Sequence, residues 1–507
     1  MTDDNLKNEL GYVSKITGSK VLVQCYGNSD LGSVRMQNLQ LRYVSVGSLV
    51  GTKLVDGRTL VLLVEEVLDS DPDVIITTSI SGIYDEITKE YSFGTNTYPM
   101  IDAEVFMLKN NILKDIFTVR SHEYSAKNAF IGTYAYDKNV KVGYDPNILF
   151  GKHLGVFGNT GSGKTCTVVS IIQQYIRTNP QKDIKFIILD VNGEYRSAFT
   201  EHECEYIPFS NLRFHHTILD NPEYGRLFRA SEGTQYPALR SCIDELSKKK
   251  ERWDLNALPQ QLDKWIDNNT PVDRNKNKDK YTNNQLNGYL RTMQLRIDGI
   301  LKDSELLSVI NSANDENTLE QIKKINKKAF VLDLQVSNDA LDIILYMLFK
   351  DLYQAQVENK RENSLLGDHS THYCLVLEEA HRYINNDAEE SKLGSYYIDK
   401  LSREGRKFGI GLIISSQVPS MLTYSIVSQC NSVIMHKVTN RRDMEFLRNV
   451  LRISSDSMYQ QMSALEKQHA LVCGEAFPND ALVKINDASP LPNSNDPVIR
   501  DILLVKG

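Results

Sequence analysis

Along the first hundred residues the apolar positions come in short bursts. YVSKI, KVLVQCY, LRYVSV, TLVLLVEEV and DVIITTSISGIY are rich in Val, Ile, Thr and Tyr, and Gly18, Gly27-Asn28, Gly47, Gly51 and Asp71-Pro72 separate them. Evenly spaced runs of β-branched and aromatic residues with such punctuation predict short strands closing into a small barrel. From about residue 150 the pattern becomes apolar strand-length runs alternating with helical spacing, which predicts a parallel sheet covered by helices. The stretch from about 215 to 325 breaks that alternation. ALRSCIDELSKKKERW and LNGYLRTMQLRIDGILKDSELLSVI carry helical spacing, and the polar PVDRNKNKDKYTNN between them (Pro271 to Asn284) reads as a mobile loop. Strands resume at AFVLDLQ (Ala329 to Gln335), YCLVLEE (Tyr373 to Glu379), IGLIISSQ (Ile410 to Gln417) and NSVIMHKV (Asn431 to Val438). No internal repeat is visible.

The expected organisation is a barrel over 1–100, a connecting segment over 101–149 and the first part of an α/β core over 150–214. A helical insertion over 215–325, the second part of the core over 326–490 and a C-terminal tail over 491–507 complete it. A chain of 507 residues exceeds one core, and 41% hydrophobic with 24% charged residues is the range of an ordinary soluble globular protein. No apolar run approaches the roughly 20 residues of a membrane span. The polar start MTDDNLKNEL lacks the pattern of a signal peptide, so a cytoplasmic protein with no membrane partner is expected. Seven scattered cysteines without a CxxC read as reduced thiols, and His202 with Cys204 is too few ligands for a metal. The net charge of −7 gives no support for coating nucleic acid by bulk basicity, though a few basic residues lining a channel would escape this count.

The strongest chemical signal is HLGVFGNTGSGKTCTVVSIIQQYIR. Its Gly158, Asn159, Thr160, Gly161, Ser162, Gly163, Lys164 and Thr165 fit GxxxxGK[ST], the P-loop, and Cys166 follows. Leu154 to Phe157 supplies the strand before the loop. Lys164 to Arg177 supplies the helix after it, stopped by Asn179-Pro180. Glycines let backbone N–H groups converge on phosphate oxygens, and the helix N-terminus adds positive potential. Lys164 is the cation for the β- and γ-phosphates, and the Thr165 hydroxyl is a ligand for Mg²⁺. ATP and Mg²⁺ are thus expected.

Other motifs narrow the class. NKxD is absent, which weakens a GTPase reading, and so is LSGGQ, which weakens an ABC-transporter reading. CLVLEEAHRYI puts Glu378 and Glu379 at the C-terminal end of an apolar strand, the edge where parallel sheets bind ligands. One carboxylate there suits the Mg²⁺ shell, directly or through water, and the next suits the attacking water. EEAH resembles the DEAH of two-domain helicases, but the chain ends at 507, so a single core is expected. FIILDVNGEY presents Asp190 and, after a turn, Glu194. Asp190 is either an acid near the γ-phosphate or a cap for the next segment, and spacing leaves both open. In LSREGRKFGIGLIISSQVPS, Gln417 ends a strand where it could contact a γ-phosphate. Arg403 and Arg406 before that strand are candidates to stabilise charge in a neighbour's site, each with a surface ion pair as its alternative. Asn440 with Asp443 three residues later is a helix-cap pattern.

GNTGSGKT, LDVNGEY, VLEEAH, REGRKFG and SSQVPS, in this order after a barrel, resemble the HerA-type ATPases of the FtsK–HerA superfamily. The resemblance implies a RecA-like P-loop core and a homohexameric ring that moves double-stranded DNA through its pore, usually with a partner nuclease. Carried over, Lys164 and Thr165 bind phosphate and Mg²⁺, Glu379 is the acid/base and Gln417 the sensor. Arg403 or Arg406 corresponds to the arginine finger, and Lys152 to the basic residue ahead of the P-loop strand. The barrel is similar to the one shared with rotary ATP synthase subunits. Where the family usually has Asp-Glu this chain has Glu378-Glu379, expected to shift Mg²⁺ by about a methylene and slow turnover. Some relatives are encoded beside effectors in antiviral defence. A second reading is therefore an ATP-loaded ring that assembles a nuclease or an NAD-consuming effector. A membrane-anchored pump of the FtsK or conjugative type ranks last, for want of membrane segments or a winged-helix domain.

Overall fold

The computed structural model describes residues 9–26, 44–70, 73–119, 129–179, 183–269, 278–312, 316–363, 371–384, 393–451 and 456–493. Its first strands are β1 (Glu9–Thr17), β2 (Lys20–Cys25), β3 (Leu49–Lys53), β4 (Thr59–Ser70), β5 (Asp73–Asp85), β6 (Glu90–Phe93) and β7 (Glu104–Met107). Antiparallel pairing runs β2-β1-β7-β3-β4-β5, and β2 also pairs with β5, so six strands close into a barrel flanked by β6. Val13, Val21, Val23, Val50, Leu60, Leu62, Val64 and Val105 fill its interior. On β4 the alternate residues Val61 and Leu63 face the other way and join the buried cluster of Phe117, Ile131 and Tyr134. Burial on both faces is why TLVLLV shows no polar alternation.

The barrel departs from the expected strands in two places. Of LRYVSV, Leu41 to Tyr43 lie outside the described residues, and Val44 to Val46 lead into a turn at Gly47 (φ +90°) without forming a strand. The strand is LVGTK instead, and Gly51 lies within it. A side chain at Gly51 would stand 2.7 Å from Leu108 Cδ2, so glycine here serves close packing, not a turn. The barrel also takes β7 from beyond residue 100, so part of the expected connecting segment belongs to it.

The second sheet contains β8 (Phe130–Tyr134), β9 (Asp137–Gly143), β10 (His153–Phe157), β11 (Ile184–Asp190), β12 (Cys204–Ile207) and β13 (Ala329–Asp333). It continues with β14 (His372–Leu377), β15 (Ile410–Ser416), β16 (Ser432–Met435), β17 (His469–Gly474) and β18 (Ala481–Ile485). Its order is β12-β13-β11-β14-β15-β10-β16-β17-β18-β8-β9. The first seven are parallel, and the last four form an antiparallel extension. This is an α/β fold of the RecA-like P-loop type. Residues 130–143 add β8 and the edge strand β9 to the sheet, while Asn110–Ile116 and Pro146–Gly151 of the expected connecting segment are helical. Short β12, β17 and β18 carry no long apolar run and were not anticipated.

Helices Asn221–Leu227, Gln235–Lys249, Leu258–Asn269, Lys278–Lys302, Ser304–Ile310 and Thr318–Lys324 lie in sequence between the neighbouring strands β12 and β13. Of the polar Pro271 to Asn284, residues 271–277 lie outside the described set. Lys278 to Asn284 are helical, contrary to a loop. The bundle is fastened to the core by the buried ion pair of Glu223 with Lys350, and Tyr397 donates to the same carboxylate at 3.4 Å. Among the described residues no helix is long and apolar enough to cross a membrane.

The packing at the sheet's N-terminal edge can be tested. A Cβ at Gly411 in β15 would come within 1.9 Å of the Phe150 carbonyl oxygen, a backbone atom that cannot swing aside. Gly411→Ala is expected to cost about 3 kcal/mol in denaturant melts. Gly288→Ala, in open space within a helix, is expected to add about 0.5 kcal/mol. Equal effects of the two would contradict this packing.

Candidate nucleotide site

Strand β10 is wholly buried and delivers the chain to the P-loop at the C-terminal edge of the parallel strands. Gly158 takes φ +154°, and a side chain there would come within 2.6 Å of His436 Cβ. Gly163 takes φ +113° and hands over to the helix Lys164–Thr178. The loop is braced on both flanks. The Asn159 amide donates to Lys437 O at 2.8 Å and its side chain to Thr439 Oγ1 at 2.7 Å, while the Gln468 amide donates to Ser162 O at 3.1 Å. Beneath it, His436 Nε2 pairs with Thr167 Oγ1 at 2.9 Å. Burial pushes the pKa of His436 down to about 3, so the ring under the loop is neutral. Lys164 Nζ donates to Asn159 O at 3.2 Å, inside the loop it belongs to.

The acids converge on the loop from two strand ends. The Thr165 hydroxyl donates to Glu194 at 2.9 Å and lies 3.5 Å from Glu378. Tyr195 donates its hydroxyl to the other Glu378 oxygen at 2.7 Å. Burial, reinforced by the nearby Glu379, raises the Glu378 pKa to about 7 despite that donor. Glu379 has left-handed backbone (φ +46°), which for a non-glycine residue costs on the order of 1 kcal/mol or more. Burial works to raise Glu379, but His381 at 3.2 Å, the Lys164 charge and the Gln417 side-chain amide outweigh it and hold its pKa low. Two neighbouring carboxylates are thereby set apart, one inclined to keep a proton and one ionised. Lys164 is lowered by burial and held up by Glu379, Glu378 and Glu194.

Strand order explains how Gln417 arrives. β15 lies between β10 and β14, so its end falls between the P-loop and Glu379, with neighbouring strands about 4.8 Å apart. Thr160 donates to Gln417 Oε1 at 2.5 Å, and the Gln417 amides reach Glu379, linking loop to acid. Asp190 has the capping geometry. It accepts the amides of Gly193, Glu194 and Tyr195 at 2.8 to 3.0 Å, and so shapes the turn that carries Glu194 to Thr165. Cys166 is half-buried on the first turn of the helix.

The remaining basic candidates are elsewhere. Lys152 precedes β10 and pairs with Glu475; Arg406 precedes β15 and donates to Asn431 at 2.9 Å and Gln429 at 3.1 Å. Arg403 is exposed and pairs with Asp399 at 2.7 Å. These sit at the N-terminal edge, a five-residue strand or roughly 16 Å from the loop that follows β10. They are not part of this chain's own phosphate site. His153 beside Lys152 is buried, bonded to Ser402 O at 2.9 Å and pushed down to about 4 by burial, as a core histidine. Asn440 caps the helix Arg441–Val450, while Asp443 caps Ser420 instead of returning to Asn440.

Tyr195, His381 and His436 were not singled out from sequence. His381 stood within EEAH, but an aromatic or histidine beside a strand end carries no signal of its own.

Residues 129–352 match the family model described as Helicase HerA, central domain. The match begins at β8 and ends within the helix Asn338–Asn363, ahead of Glu378. Relatives extend over nearly all of the chain. The DNA double-strand break repair helicase HerA of Pyrococcus furiosus is 24% identical over 90% of this chain and 85% of its own. A probable helicase of Methanocaldococcus jannaschii is 23% identical over 88% of this chain and 86% of its own. The chain is similar to HerA-type helicases over most of its length. These likenesses make it an ATP-hydrolysing enzyme. Among solved structures, VirB4 of Thermoanaerobacter pseudethanolicus superposes with a TM-score of 0.49 at 14% identity, over 73% of this chain and 98% of that one. That likeness is too distant to argue from.

The raised pKa of Glu378 makes a stability prediction for the protein without nucleotide or divalent metal. The folded protein holds the proton more tightly than the unfolded one, so this contribution is intact below the ordinary value of 4.5 and is lost as pH rises through about 7. Glu378→Gln removes the loss. It is expected to melt near wild type at pH 5 and to gain on the order of 2 kcal/mol at pH 8, in chelator. The same difference at both pH values would refute a buried, proton-holding Glu378.

Proposed function

We propose that this chain forms a homohexameric ring that uses ATP to translocate on or unwind double-stranded DNA. The observation that carries this reading is the division of charge between two edges of one sheet. The phosphate loop, Glu379 and Gln417 lie at the C-terminal edge, with Lys164 as their cation. Lys152, Arg403 and Arg406 lie at the opposite edge, beyond reach of that site. A head-to-tail ring would present one subunit's basic edge to the next subunit's nucleotide, which completes each site. Similarity to the DNA double-strand break repair helicase HerA of Pyrococcus furiosus supports DNA as the substrate.

In this reading Lys164 leaves Asn159 O for the β- and γ-phosphates. Glu379, held ionised, orients the attacking water and takes its proton, and Gln417 beside it reads the γ-phosphate. The donor set around Thr165 fits Mg²⁺. Thr165 and Glu378, directly or through water, would hold it beside an excess of buried carboxylate. Among the described residues no group of three or more His, Cys, Asp or Glu could hold a metal, as suits an ion that takes most of its ligands from phosphate and water. When bound it neutralises phosphate charge. The barrel, where Ile87 and Phe93 are exposed, would carry contacts to a partner nuclease or defence effector in the cytoplasm.

Glu379→Gln is expected to retain ATP binding while losing turnover by roughly 10²- to 10⁴-fold, and Lys164→Ala to lose binding itself. Duplex DNA should raise wild-type hydrolysis, and mass photometry with ATP should show a six-subunit species. A protein that stays monomeric with ATP and duplex DNA, with hydrolysis unmoved by DNA, would sink the motor reading. Unchanged turnover in Glu379→Gln would sink the assignment of the acid.

A further inference from the structure

The strand order also sets the direction in which the nucleotide lies. Glu379 and Gln417 follow β14 and β15 on one flank of β10, and the γ end of the triphosphate faces them. The α-phosphate, ribose and base therefore run toward the other flank, over the strand ends of β16, β17 and β18. Because β17 is antiparallel to both β16 and β18, the start of β17 and the end of β18 share the P-loop edge.

Two side chains meet at that place. Gln468 immediately precedes β17, and its Nε2 donates to Asp487 Oδ1 at 2.8 Å; Asp487 follows β18 by two residues. Both are anchored to the loop and its helix. The Gln468 amide donates to Ser162 O at 3.1 Å and its carbonyl accepts from Ile485 at 2.9 Å, while the Ser170 hydroxyl donates to Asp487 O at 3.5 Å. Ser170 lies one turn beyond Cys166 on the helix Lys164–Thr178, and Ser162 lies in the loop before it. The pair thus stands against the P-loop and the helix that follows it. Gln468 is held at φ +62°, a left-handed conformation that a non-glycine residue adopts only when its surroundings impose it. Asp487 is exposed, and among the described residues no group donates to its second oxygen.

We infer that Gln468 and Asp487 form the nucleoside subsite, in which the second Asp487 oxygen accepts a hydrogen bond from the bound nucleotide. This rests on the P-loop being the ATP site. The ligand chemistry is an O–H or N–H donor on the nucleoside, a ribose hydroxyl or the exocyclic amine of adenine. Gln468 is the positioning residue that turns the carboxylate toward it.

Calorimetric binding to the full chain tests this without relying on turnover. The probes are ADP, inorganic tripolyphosphate, 2′,3′-dideoxy-ADP and the diphosphate of purine riboside, which lacks the amine. Asp487→Ala is expected to weaken ADP by roughly ten- to a hundredfold, the scale of one hydrogen bond to a charged group, and to leave tripolyphosphate unchanged. Gln468→Ala should act in the same direction, more weakly. Loss of the Asp487 effect with the dideoxy probe assigns the donor to ribose, and loss with the riboside assigns it to the amine. Persistence with both overturns the proposal. So does equal weakening of ADP and tripolyphosphate, which would mean a disturbed loop, and so does no weakening of ADP. A wild-type chain that binds tripolyphosphate but not ADP would instead count against the ATP site itself.

Discussion

The parallel hydrogen-bonded ladder of β10, β15 and β14 is the constraint on which the site depends. Leu154 to Phe157 pair with Ile413 to Ser416, and Tyr373 to Leu377 with Ile410 to Ile414. This register brings three strand ends to one line at the edge of the sheet. The loop after β10, Gln417 after β15 and Glu379 after β14 then lie close enough for the Gln417 side chain to bridge the other two. Because side chains alternate along a strand, a slip of one residue in β15 would turn Ser416 and its neighbours to the opposite face. Gly411 belongs to the same constraint, since it lets β15 pass against the Phe150 carbonyl at the far edge.

What the ladder gathers is electrostatically unbalanced. Glu194, Glu378 and Glu379 crowd around Lys164, and burial raises Glu378 and Glu194 while lowering Lys164. A polyanionic substrate entering such a pocket must arrive with positive charge, which is the physical ground for expecting a divalent ion and cations from outside the chain. The Tyr195 hydroxyl and the left-handed turn at Glu379 keep the two adjacent glutamates apart. Glu378 is directed to the Thr165 side and Glu379 to Gln417 and His381. Different surroundings, not different chemistry, separate two identical side chains.

The fold class and the long strands of the core could be read from sequence because those strands are buried on both faces. FIILD and CLVL are continuous apolar runs, and GNTGSGKT is a spacing whose every residue has a physical reason. The short antiparallel strands could not be read. β8, β9, β17 and β18 owe their state to pairing with distant partners, and β3 runs through a glycine that looked like a turn. Polar Lys278 to Asn284 is helical despite a composition suited to a loop. Glu378, Glu379, Glu194 and Gln417 were nominated by motif, and the structure places them around one loop. Spacing could not choose between two roles for Asp190, because three amides five residues or fewer away decide it. Nor could it disclose Tyr195 or Gln468, whose partners lie far along the chain.

The barrel is tied to the nucleotide edge through one short stretch. Gln461 donates to Val46 O at 2.8 Å, and Tyr136 donates to the same carbonyl at 2.5 Å, so the barrel's turn at Gly47 rests on both. One residue on, Met462 O accepts the amide of Val438, next to Lys437, whose carbonyl accepts from Asn159 in the P-loop. Six residues further, the Gln468 amide grips Ser162. The segment from Gln461 to Gln468 therefore touches the barrel at one end and braces the loop at the other. With Val61 and Leu63 of β4 packed into the core, the barrel has no freedom to slide independently of this segment. The barrel and the phosphate loop are thus joined through continuous packed backbone, without any side chain that spans the distance.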